Sequence, residues 1–555
     1  MHAVSQELRH SIRALMRNPG FTATAAITLA LGIGANAAVF SVVDRVLLRP
    51  LPYPESENLV VVRHPVPGYT TTEWHLSTAG YFYFKENSRT LEDLGILRFP
   101  SVVLTGDEQA ERVDAALITA SILTTLRVAP VLGRSITPED DTPGAPMVVL
   151  LGYDLWTRRF GADPSIVGRT IMINGAAQEV VGVMPRGFHY PLTTTSIWRP
   201  LQLDPNRRAV NQHIYTAVGR LVEGADSDEA AAELRTFVSR FTETFPTAYS
   251  AGFMEESQFD VSIRTMLDDT VQNVNQALWI VLGTVTLLLL LACANVANLF
   301  LVRAEGRRRE VALRTALGAD RLQLLWHYLT ESFVLATLGG VLGVAVAYAG
   351  VQLLTALAPA GLPRIHEIGV DSRTVTVALG LTVLSALFFG TFPLMQRGED
   401  NLTEHLKEGA RSATSGTRQH RVRSGLVVSQ MAIALLLLAA SGLLFRSFLA
   451  LRTVDLGFDP ENVVTARLSV VRAKYEDNDA VRRFFETVRQ RLESLPMVTS
   501  AGMVWQLEIV GGASDNANDV GDLPDGTEGR RIIDTKFASL GYFEAMGMRL
   551  VEGRF

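Results

Sequence analysis

The strongest constraint on the fold is that charged residues are absent from five long stretches of the sequence. These windows contain no Asp, Glu, Lys or Arg, and each is at least 22 residues long: Asn18–Val43, Thr270–Val302, Ser332–Pro363, Thr374–Gln396 and Ser424–Phe445. A helix that crosses the hydrocarbon core of a bilayer needs about 20 apolar residues. Helices of a soluble core seldom run that far without a charge on the side that faces water. The chain is therefore predicted to be a polytopic α-helical membrane protein with five spans.

Basic residues near the ends of the windows predict the orientation, because short cytoplasmic loops carry an excess of Lys and Arg. The segment before the first window carries Arg9, Arg13 and Arg17, and the loops 303–327 and 397–423 carry six basic residues each. The loop between the third and fourth windows carries only two. The N-terminus is therefore predicted to be cytoplasmic and the C-terminus extracytoplasmic.

This orientation predicts an alternation of spans, cytoplasmic segments and two large outer domains. The predicted order is a cytoplasmic amphipathic N-terminal helix (1–20), a first span (21–43), a first extracytoplasmic domain (44–275), a second span (276–302), a basic cytoplasmic loop (303–327), a third span (328–354), a short outer loop (355–373), a fourth span (374–396), a basic cytoplasmic linker (397–423), a fifth span (424–448) and a second extracytoplasmic domain (449–555). The multi-pass chain thus has its large domains on the outer side of the membrane.

The first outer domain reads as a mixture of helices and strands. Thr170–Ile173, an Asn174-Gly175 turn and Glu179–Met184 together predict a β-hairpin, since Asn-Gly favours the left-handed turn that matches strand twist. Apolar residues at helical spacing predict a helix over Asp226–Phe245. Short strands are predicted at Val60–Val62, Val102–Leu104 and Met147–Leu151.

Composition and motifs exclude several functional classes. A net charge of −6 argues against a nucleic-acid binder. The single cysteine, Cys293, lies inside an apolar window and provides neither a disulfide framework nor a thiolate metal cluster. The sequence holds no GxxxxGK[ST] phosphate-binding loop, no HExxH and no GxSxG. We therefore expect no catalytic residues, no metal and no cofactor, and the chain is not predicted to be an enzyme.

Two parts of the chain repeat an earlier segment. Arg17–Val60 aligns with Arg421–Val464 at an offset of 404, and Thr119–Arg134 aligns with Ser539–Arg554 at an offset of 420. Their matching order after a span predicts an internal duplication. Measured against the first copy, the second copy lacks about 260 residues at its C-terminal end. We therefore expect the chain to be truncated and its second outer domain to be incomplete.

Three segments match motifs of a known family. They are Arg309–Ala319 (REVALRTALGA), Glu179–Phe188 (EVVGVMPRGF), and Leu31–Ser41 (LGIGANAAVFS) together with Leu48–Pro54 (LRPLPYP). The first resembles the cytoplasmic segment after the second span of MacB/FtsX-like permeases of ABC transport systems, and the second resembles a strand and turn of their periplasmic core domain. The third pair resembles the duplicated orphan permeases described in acidobacteria.

The resemblance implies a fold, a location and a function. It implies α+β MacB-like periplasmic core domains on the outer side of a bacterial inner membrane. It also implies an ABC ATPase subunit in trans, whose ATP hydrolysis moves the spans and, through them, the outer domains (mechanotransmission), in efflux or in the handling of envelope components. Membrane lipid is an expected partner, and a periplasmic or outer-membrane partner is left open. No window carries an ionisable group that would line an ion path.

A different class of function is left open beside the permease. The chain could be a non-transporting, FtsX-like signalling or scaffold protein that regulates a cell-envelope partner. An ATPase gene next to this one is common to both classes, whereas a trans-envelope partner would favour export.

The basic loop between the second and third spans contains the candidate ATPase-coupling site. Glu310–Gly318 is predicted to form a short helix that ends at Gly318, a C-cap position. Helical spacing places Glu310, Leu313, Arg314 and Leu317 on one face. The resemblance implies that this face docks on the ATPase subunit. The alternative interpretation is a basic loop that only fixes the membrane orientation.

Small and polar residues inside the windows indicate where helices pack. Gly339, Gly343 and Ala347 form a stripe on the third span that permits close approach of another helix. Asn295 and Asn298 share one face of the second span and are predicted to form interhelical hydrogen bonds rather than a substrate path.

Overall fold

The structure is a computed structural model that describes most of the chain. It describes residues 2–70, 72–106, 110–306, 321–357, 364–395, 417–454, 456–468, 470, 475, 477–505, 514–522, 528–535 and 537–554. The chain divides into two compact units. Residues 1–49 and 270–454 form the first, which we call the helical unit, and residues 50–269 and 455–555 form the second, which we call the sheet unit.

The helices are numbered in chain order along both units. They are α1 (His2–Met16), α2 (Pro19–Val43), α3 (Thr78–Asn87), α4 (Ser121–Leu126), α5 (Tyr153–Phe160), α6 (Ser227–Val238), α7 (Phe241–Thr244), α8 (Ala251–Ser257), α9 (Met266–Val271), α10 (Asn275–Gly306), α11 (Arg321–Leu357), α12 (Ser372–Met395), α13 (Thr417–Arg452), α14 (Asn478–Glu493) and α15 (Tyr542–Ala545). The chain turns between α1 and α2 at Asn18-Pro19, and the fixed φ of Pro19 suits the first turn of the new helix.

Five helices of the helical unit are long and apolar enough to cross a membrane. Within the described residues these candidate spans are Pro19–Leu48, Asn275–Arg303, Tyr328–Leu357, Ser372–Thr391 and Ser424–Arg452. The chain is thus a multi-pass membrane protein. The helices α10, α11 and α13 extend beyond the predicted spans at both ends. At the end of α10, the start of α11 and both ends of α13 the added turns carry charged residues, which a search for uncharged windows leaves out.

The core of the helical unit lies between α2, α10, α11 and α12. Its buried side chains include Leu29 and Ile33 of α2, Val296 of α10, Leu335 of α11 and Phe389 of α12. The helix α2 is buried along most of its length, whereas most apolar side chains of α13 are exposed. In a membrane protein such an exposed apolar surface faces lipid or another chain.

The sheet unit is built on one continuous mixed sheet. Its strands are β1 (Leu59–Arg63), β2 (Leu91–Arg98), β3 (Ser101–Thr105), β4 (Glu111–Ile118), β5 (Leu132–Gly133), β6 (Val148–Leu151), β7 (Thr170–Ile173), β8 (Ala176–Val183), β9 (Thr195–Pro200), β10 (Thr216–Leu221) and β11 (Ser262–Thr265); β12 (Ser514–Asp522) and β13 (Glu528–Thr535) form a separate antiparallel pair.

The sheet has two parts that meet at β4. In the first part the strand order is β11-β1-β10-β2-β4, and the pairs along it are antiparallel. In the second part the order β4-β3-β7-β8-β6-β9 returns to β4, because β9 pairs with β4 in parallel. These six strands therefore form a closed ring, whose core includes Val102, Val113, Val149, Val180 and Ile197.

The predicted hairpin is present, but its second strand begins earlier than predicted. Ile173 pairs directly with Ala176, and the two-residue loop Asn174-Gly175 has φ values of 53° and 80°. This is the conformation that Asn-Gly favours between two strands. The return strand starts at Ala176 rather than at Glu179, because cross-strand pairing overrides the low strand preference of the residues between them.

The predicted helix over Asp226–Phe245 is divided in two. Asp226 caps α6 by accepting a hydrogen bond from the Glu229 amide at 2.8 Å. The chain leaves the helix after Val238 and resumes it at Phe241. Phe241 is fully buried among aromatic side chains, so the interruption places this ring in the core of the sheet unit.

Candidate functional site

The predicted ATPase-coupling residues lie outside the described part of the structure. Glu310, Leu313, Arg314, Leu317 and Gly318 belong to 307–320, the segment between α10 and α11. The helices on both sides of it are described, and they show how the ends of this segment are attached to the helical unit.

A cluster around Arg303, in the last turn of α10, joins several helices of the helical unit. One guanidinium nitrogen, Nη1, lies 2.8 Å from Glu331 Oε1 on α11. Another, Nη2, donates a hydrogen bond of 2.8 Å to the carbonyl oxygen of Ala14 on α1. The guanidinium also lies 4.7 Å from the centre of the Phe21 ring on α2, within the range of a cation–π contact. We call this cluster the Arg303 junction.

The Arg303 junction places a charged pair inside the helical unit. The Glu331 side chain is 3% exposed and the Arg303 side chain is 14% exposed. Glu331 lies just before the third uncharged window, but the predicted third span (328–354) and the candidate span Tyr328–Leu357 both include it. The neighbouring cation is the physical reason that a carboxylate is tolerated there, since removing one partner of a buried pair costs about 3–5 kcal/mol.

The predicted small-residue stripe of α11 lies against α2. A Cβ atom added to Gly339 would lie 2.7 Å from Leu29 Cβ, and one added to Gly343 would lie 3.2 Å from Ile33 Cβ. Ala347, further along the same stripe, is buried. The two helices approach so closely that hydrogen is the largest substituent that fits at Gly339 without movement of its neighbours.

The amide that links α2 to α10 is Asn36. Its Nδ2 donates hydrogen bonds to Val285 O at 2.7 Å and to Gly32 O at 2.9 Å, and its Oδ1 accepts one from Thr286 Oγ1 at 3.1 Å. Buried polar groups of this kind are satisfied across helices when no water is present. Sequence alone gave no reason to prefer Asn36 over the other amides in the windows, because its orientation depends on how α2 and α10 pack.

The two amides that the sequence analysis singled out lie elsewhere. Asn295 is exposed and Asn298 is partly buried, and the Oδ1 atom of Asn298 has no hydrogen-bond partner among the described atoms. Neither side chain bonds to another helix in the part of the chain that the structure describes.

A network of ion pairs lies at the opposite end of α2 from the Arg303 junction. Asp371, just before α12, accepts hydrogen bonds from Arg45 and Arg49. Arg49 also donates to Asp44, the first residue of a π-helical turn that continues α2 over Asp44–Leu48. We call this group the Asp371 network.

The Asp371 network holds the loop before α12 against the end of α2. Arg364 Nη1 donates to the carbonyl oxygen of Arg49 at 2.7 Å, and Ser41 Oγ donates to Gly369 O at 2.9 Å. Desolvation opposes ionisation of Asp371, but hydrogen bonds from the Thr374 amide and the Arg49 guanidinium hold the pKa of this carboxyl well below its usual range. The sequence analysis missed this network because its members lie at the borders of the windows, where charged residues are ordinary.

Buried histidines distinguish the first part of the sheet unit. His64, on the continuation of β1, is 1% exposed, stacks on Phe259 at 4.4 Å and donates from Nδ1 to Asp260 O at 2.9 Å. Burial and the neighbouring His213 lower the pKa of His64 to about 3. Within the described ranges, no group of three or more His, Cys, Asp or Glu residues is placed to hold a metal ion.

Comparison with known proteins finds two family models that match successive parts of the chain. Residues 22–237 match the family model of the MacB-like periplasmic core domain. Residues 282–402 match the model of the FtsX-like permease C-terminal region, which begins in α10 and includes α11 and α12. The two matches follow one another along the chain.

Individual relatives agree with these matches. The chain is 27% identical over 263 residues to the uncharacterized ABC transporter permease YvrN of Bacillus subtilis (strain 168), over 47% of this chain and 62% of that protein. It is 25% identical over 422 residues to the macrolide export ATP-binding/permease protein MacB of Azoarcus sp. (strain BH72), over 71% of this chain and 58% of that protein. The chain thus spans about three fifths of the length of these curated relatives.

Solved structures include the periplasmic region of MacB from Actinobacillus actinomycetemcomitans, with 15% identity, a TM-score of 0.30, and coverage of 40% of this chain and 93% of that one. The sequence matches therefore show that the chain contains a MacB-like periplasmic core domain and an FtsX-like permease C-terminal region, and that it is similar to ABC transporter permeases.

Proposed function

We propose that this chain is the permease subunit of an ABC-type mechanotransmission system. ATP hydrolysis by a separate subunit moves its spans, and the sheet unit on the outer side of the inner membrane moves in response. This movement drives efflux or the handling of an envelope component. The N-terminus is cytoplasmic in this arrangement, and the segment 307–320 meets the ATPase.

The observation that carries the proposal is the Arg303 junction. Arg303 lies three residues before the end of α10, next to the segment that would meet the ATPase. Because its guanidinium contacts α1, α2 and α11 together, a force on that segment reaches all of these helices and not α10 alone.

The helices α2 and α10 also connect, along the chain, to the sheet unit. The helical unit ends at Arg49 and resumes at Thr270, and the sheet unit occupies the residues between them. Asn36 links α2 to α10 midway along their length, and the rings of Phe21 and Phe300 meet edge to face at 5.5 Å near the Arg303 junction. The two connections to the sheet unit are therefore held together and move as a pair.

The family assignment supports a separate ATPase. The relative named MacB from Azoarcus is an ATP-binding/permease protein, whereas the models matched here are the periplasmic core domain and the permease region. The similarity to ABC permeases implies an ATPase component, and we propose that it is a subunit in trans.

Copurification tests this function. The full-length protein is expressed together with the ABC ATPase encoded nearest to its gene and is purified in mild detergent. We expect the ATPase to copurify, and Leu313→Asp with Arg314→Glu to abolish this, because the substitutions remove an apolar contact and reverse a charge at a desolvated interface. Ala312→Asp with Thr315→Glu is the matched control, since helical spacing places these residues on the opposite face.

Two results would contradict the proposal. One is retention of the ATPase at wild-type yield by the Leu313/Arg314 variant. The other is that no ABC ATPase copurifies with the unmodified protein. Either result would favour the FtsX-like signalling or scaffold function instead.

A further inference from the structure

An apolar groove runs between α1 and α11 at the end of the helical unit that carries the Arg303 junction. Its volume is about 410 Å³. The side chains that line it include Leu8 and Ile12 from α1 and Trp326, Leu329, Phe333 and Val334 from α11. The hydroxyl group of Thr330, also in the lining, donates to the carbonyl oxygen of Trp326 at 2.7 Å and offers no free donor to an occupant. Thr337 is the other hydroxyl-bearing residue of the lining. The remaining six of the eight lining residues are apolar, so the groove is suited to hydrocarbon.

The position of the groove places it at a membrane surface. The candidate span of α11 begins at Tyr328, so Trp326 lies just before the hydrocarbon region and Phe333 lies inside it. The Trp326 side chain is 62% exposed. Exposed tryptophan is typical of the boundary between lipid headgroups and acyl chains, where its ring is apolar and its N–H remains hydrated.

Helix α1 presents one apolar face to the groove and one basic face beside it. Ser11 and Leu15 are buried against the rest of the helical unit, while Leu8 and Ile12 remain exposed along the groove. The adjacent face carries Arg9 and Arg13, four residues apart and exposed, and the exposed Arg17 follows just after the helix ends. Among the described side chains these three arginines form no ion pair, so their charge is available to a ligand.

We propose that the groove binds an anionic phospholipid, with one acyl chain between α1 and α11 and the phosphate held by Arg9 and Arg13. The charge of the ligand follows from the unpaired guanidinium groups, which form bidentate hydrogen bonds with phosphate. We infer that the ligand has an acyl chain because the lining is apolar and because Phe333 lies inside the candidate span. A helix with separate apolar and basic faces, such as α1, typically lies at the membrane surface as an interfacial helix.

Occupancy of the groove bears on the Arg303 junction as well. The carbonyl oxygen of Ala14, on the same helix as Leu8 and Ile12, is an acceptor for Arg303. A lipid that fixes α1 in place therefore also fixes one of the contacts of Arg303. The lipid site does not rest on the proposed ATPase, and it can be tested without one.

Fluorescence quenching by brominated lipids tests the site directly. The full chain is reconstituted into phosphatidylcholine vesicles that contain either brominated phosphatidylglycerol or the same fraction of brominated phosphatidylcholine. The emission of Trp326 is obtained as the difference between the unmodified protein and Trp326→Phe. We expect brominated phosphatidylglycerol to quench this emission at a lower lipid fraction than brominated phosphatidylcholine does.

Trp279 is the internal control for this measurement. It is 49% exposed and lies near the start of the candidate span of α10, which is the other end of that helix from Arg303. Its emission, isolated in the same way with Trp279→Phe, should be quenched equally by the two lipids.

Substitution of the arginines tests the headgroup contact. One basic residue near an anionic surface changes the affinity about fivefold, so Arg9→Gln with Arg13→Gln should weaken the preference for phosphatidylglycerol about 30-fold. Arg446→Gln with Arg452→Gln removes the same charge from exposed positions of α13 and should leave the preference at Trp326 unchanged.

The proposal is overturned if the two brominated lipids quench Trp326 equally, or if the preference survives in the Arg9/Arg13 variant. Protection of Trp326 from both lipids, in a protein whose Trp279 is quenched, would also overturn it, because a second copy or another segment would then cover the groove.

Discussion

At the scale of single residues, the charges that organise the helical unit lie at the edges of the windows that predicted its spans. Arg303 is the first residue after the second window, and Glu331 is the last residue before the third. A count of charges predicts where hydrocarbon begins, but it cannot predict that two such residues from different helices approach to 2.8 Å. The same holds for Asn36, whose bond to Val285 depends on the packing of α2 against α10.

The buried pair at the Arg303 junction gives the first prediction. Arg303→Met alone and Glu331→Leu alone should each lower the free energy of unfolding by about 3–5 kcal/mol, because each leaves one charge buried without its partner. The double variant Arg303→Met with Glu331→Leu should recover most of that loss, since no buried charge remains. Thermal unfolding of the detergent-solubilised protein measures the three variants, and a double variant no more stable than the singles would contradict the prediction.

At the scale of elements, the sequence predicted those with a strong local signal. The five membrane helices follow from uncharged windows, and the β7–β8 hairpin follows from Asn174-Gly175. The parallel pairing of β9 with β4, which closes the ring of six strands, has no local signal because the two strands are separated by about 80 residues. The break between α6 and α7 was missed for the same reason, since it serves the burial of Phe241 in a core assembled from distant segments.

The second prediction concerns the contact between α2 and α11. Gly339→Ala should lower the unfolding free energy by about 1–3 kcal/mol, because the new Cβ would lie 2.7 Å from Leu29 Cβ. Gly380→Ala is the matched control in α12, where a Cβ meets nothing within 4 Å. There the better helix propensity of alanine should raise stability by as much as about 1 kcal/mol. Equal effects of the two substitutions on thermal unfolding would show that α2 and α11 do not approach so closely.

At the scale of the whole molecule, the chain alternates between a unit adapted to lipid and a unit adapted to water. The predicted orientation places the sheet unit outside and the segment 307–320 inside. Because Cys293 is the only cysteine in the sequence and is buried, single added cysteines report accessibility without its removal.

Cysteine labelling gives the third prediction. A membrane-impermeant maleimide added to intact spheroplasts should label Glu223→Cys, an exposed position of the sheet unit. The reagent should label Thr315→Cys only after permeabilisation. Labelling of Thr315→Cys in intact spheroplasts would show that the predicted orientation is wrong.

The fourth prediction is that acid selectively destabilises the sheet unit. Unfolded histidine titrates near pH 6.5, whereas His64 in the folded unit has a pKa of about 3. Above about pH 6.5 neither state binds the proton, and below it the unfolded state binds the proton first, so the free energy of unfolding falls as the pH is lowered from about 6.5 towards 3. At pH 5 the loss from His64 alone is about 2 kcal/mol.

Urea unfolding at pH 5 and pH 7, followed by tryptophan fluorescence, measures this loss. Comparison with His64→Asn, whose amide can donate to Asp260 O without titrating, isolates the contribution of His64. A variant with the full pH dependence of the unmodified protein would assign the effect to other groups.

The position of β11 at the edge of the sheet also determines how long one side of β1 stays unpaired during synthesis. β1 pairs with β10 on one side and β11 on the other, and β11 is made about 200 residues after β1. At about 5–20 residues per second, ribosomal synthesis leaves that side of β1 unpaired for roughly 10–40 s. During this interval α2 already requires lipid while the strand that follows it has an open edge, which is a template for wrong pairing. That edge is covered only when synthesis reaches β11, shortly before α10.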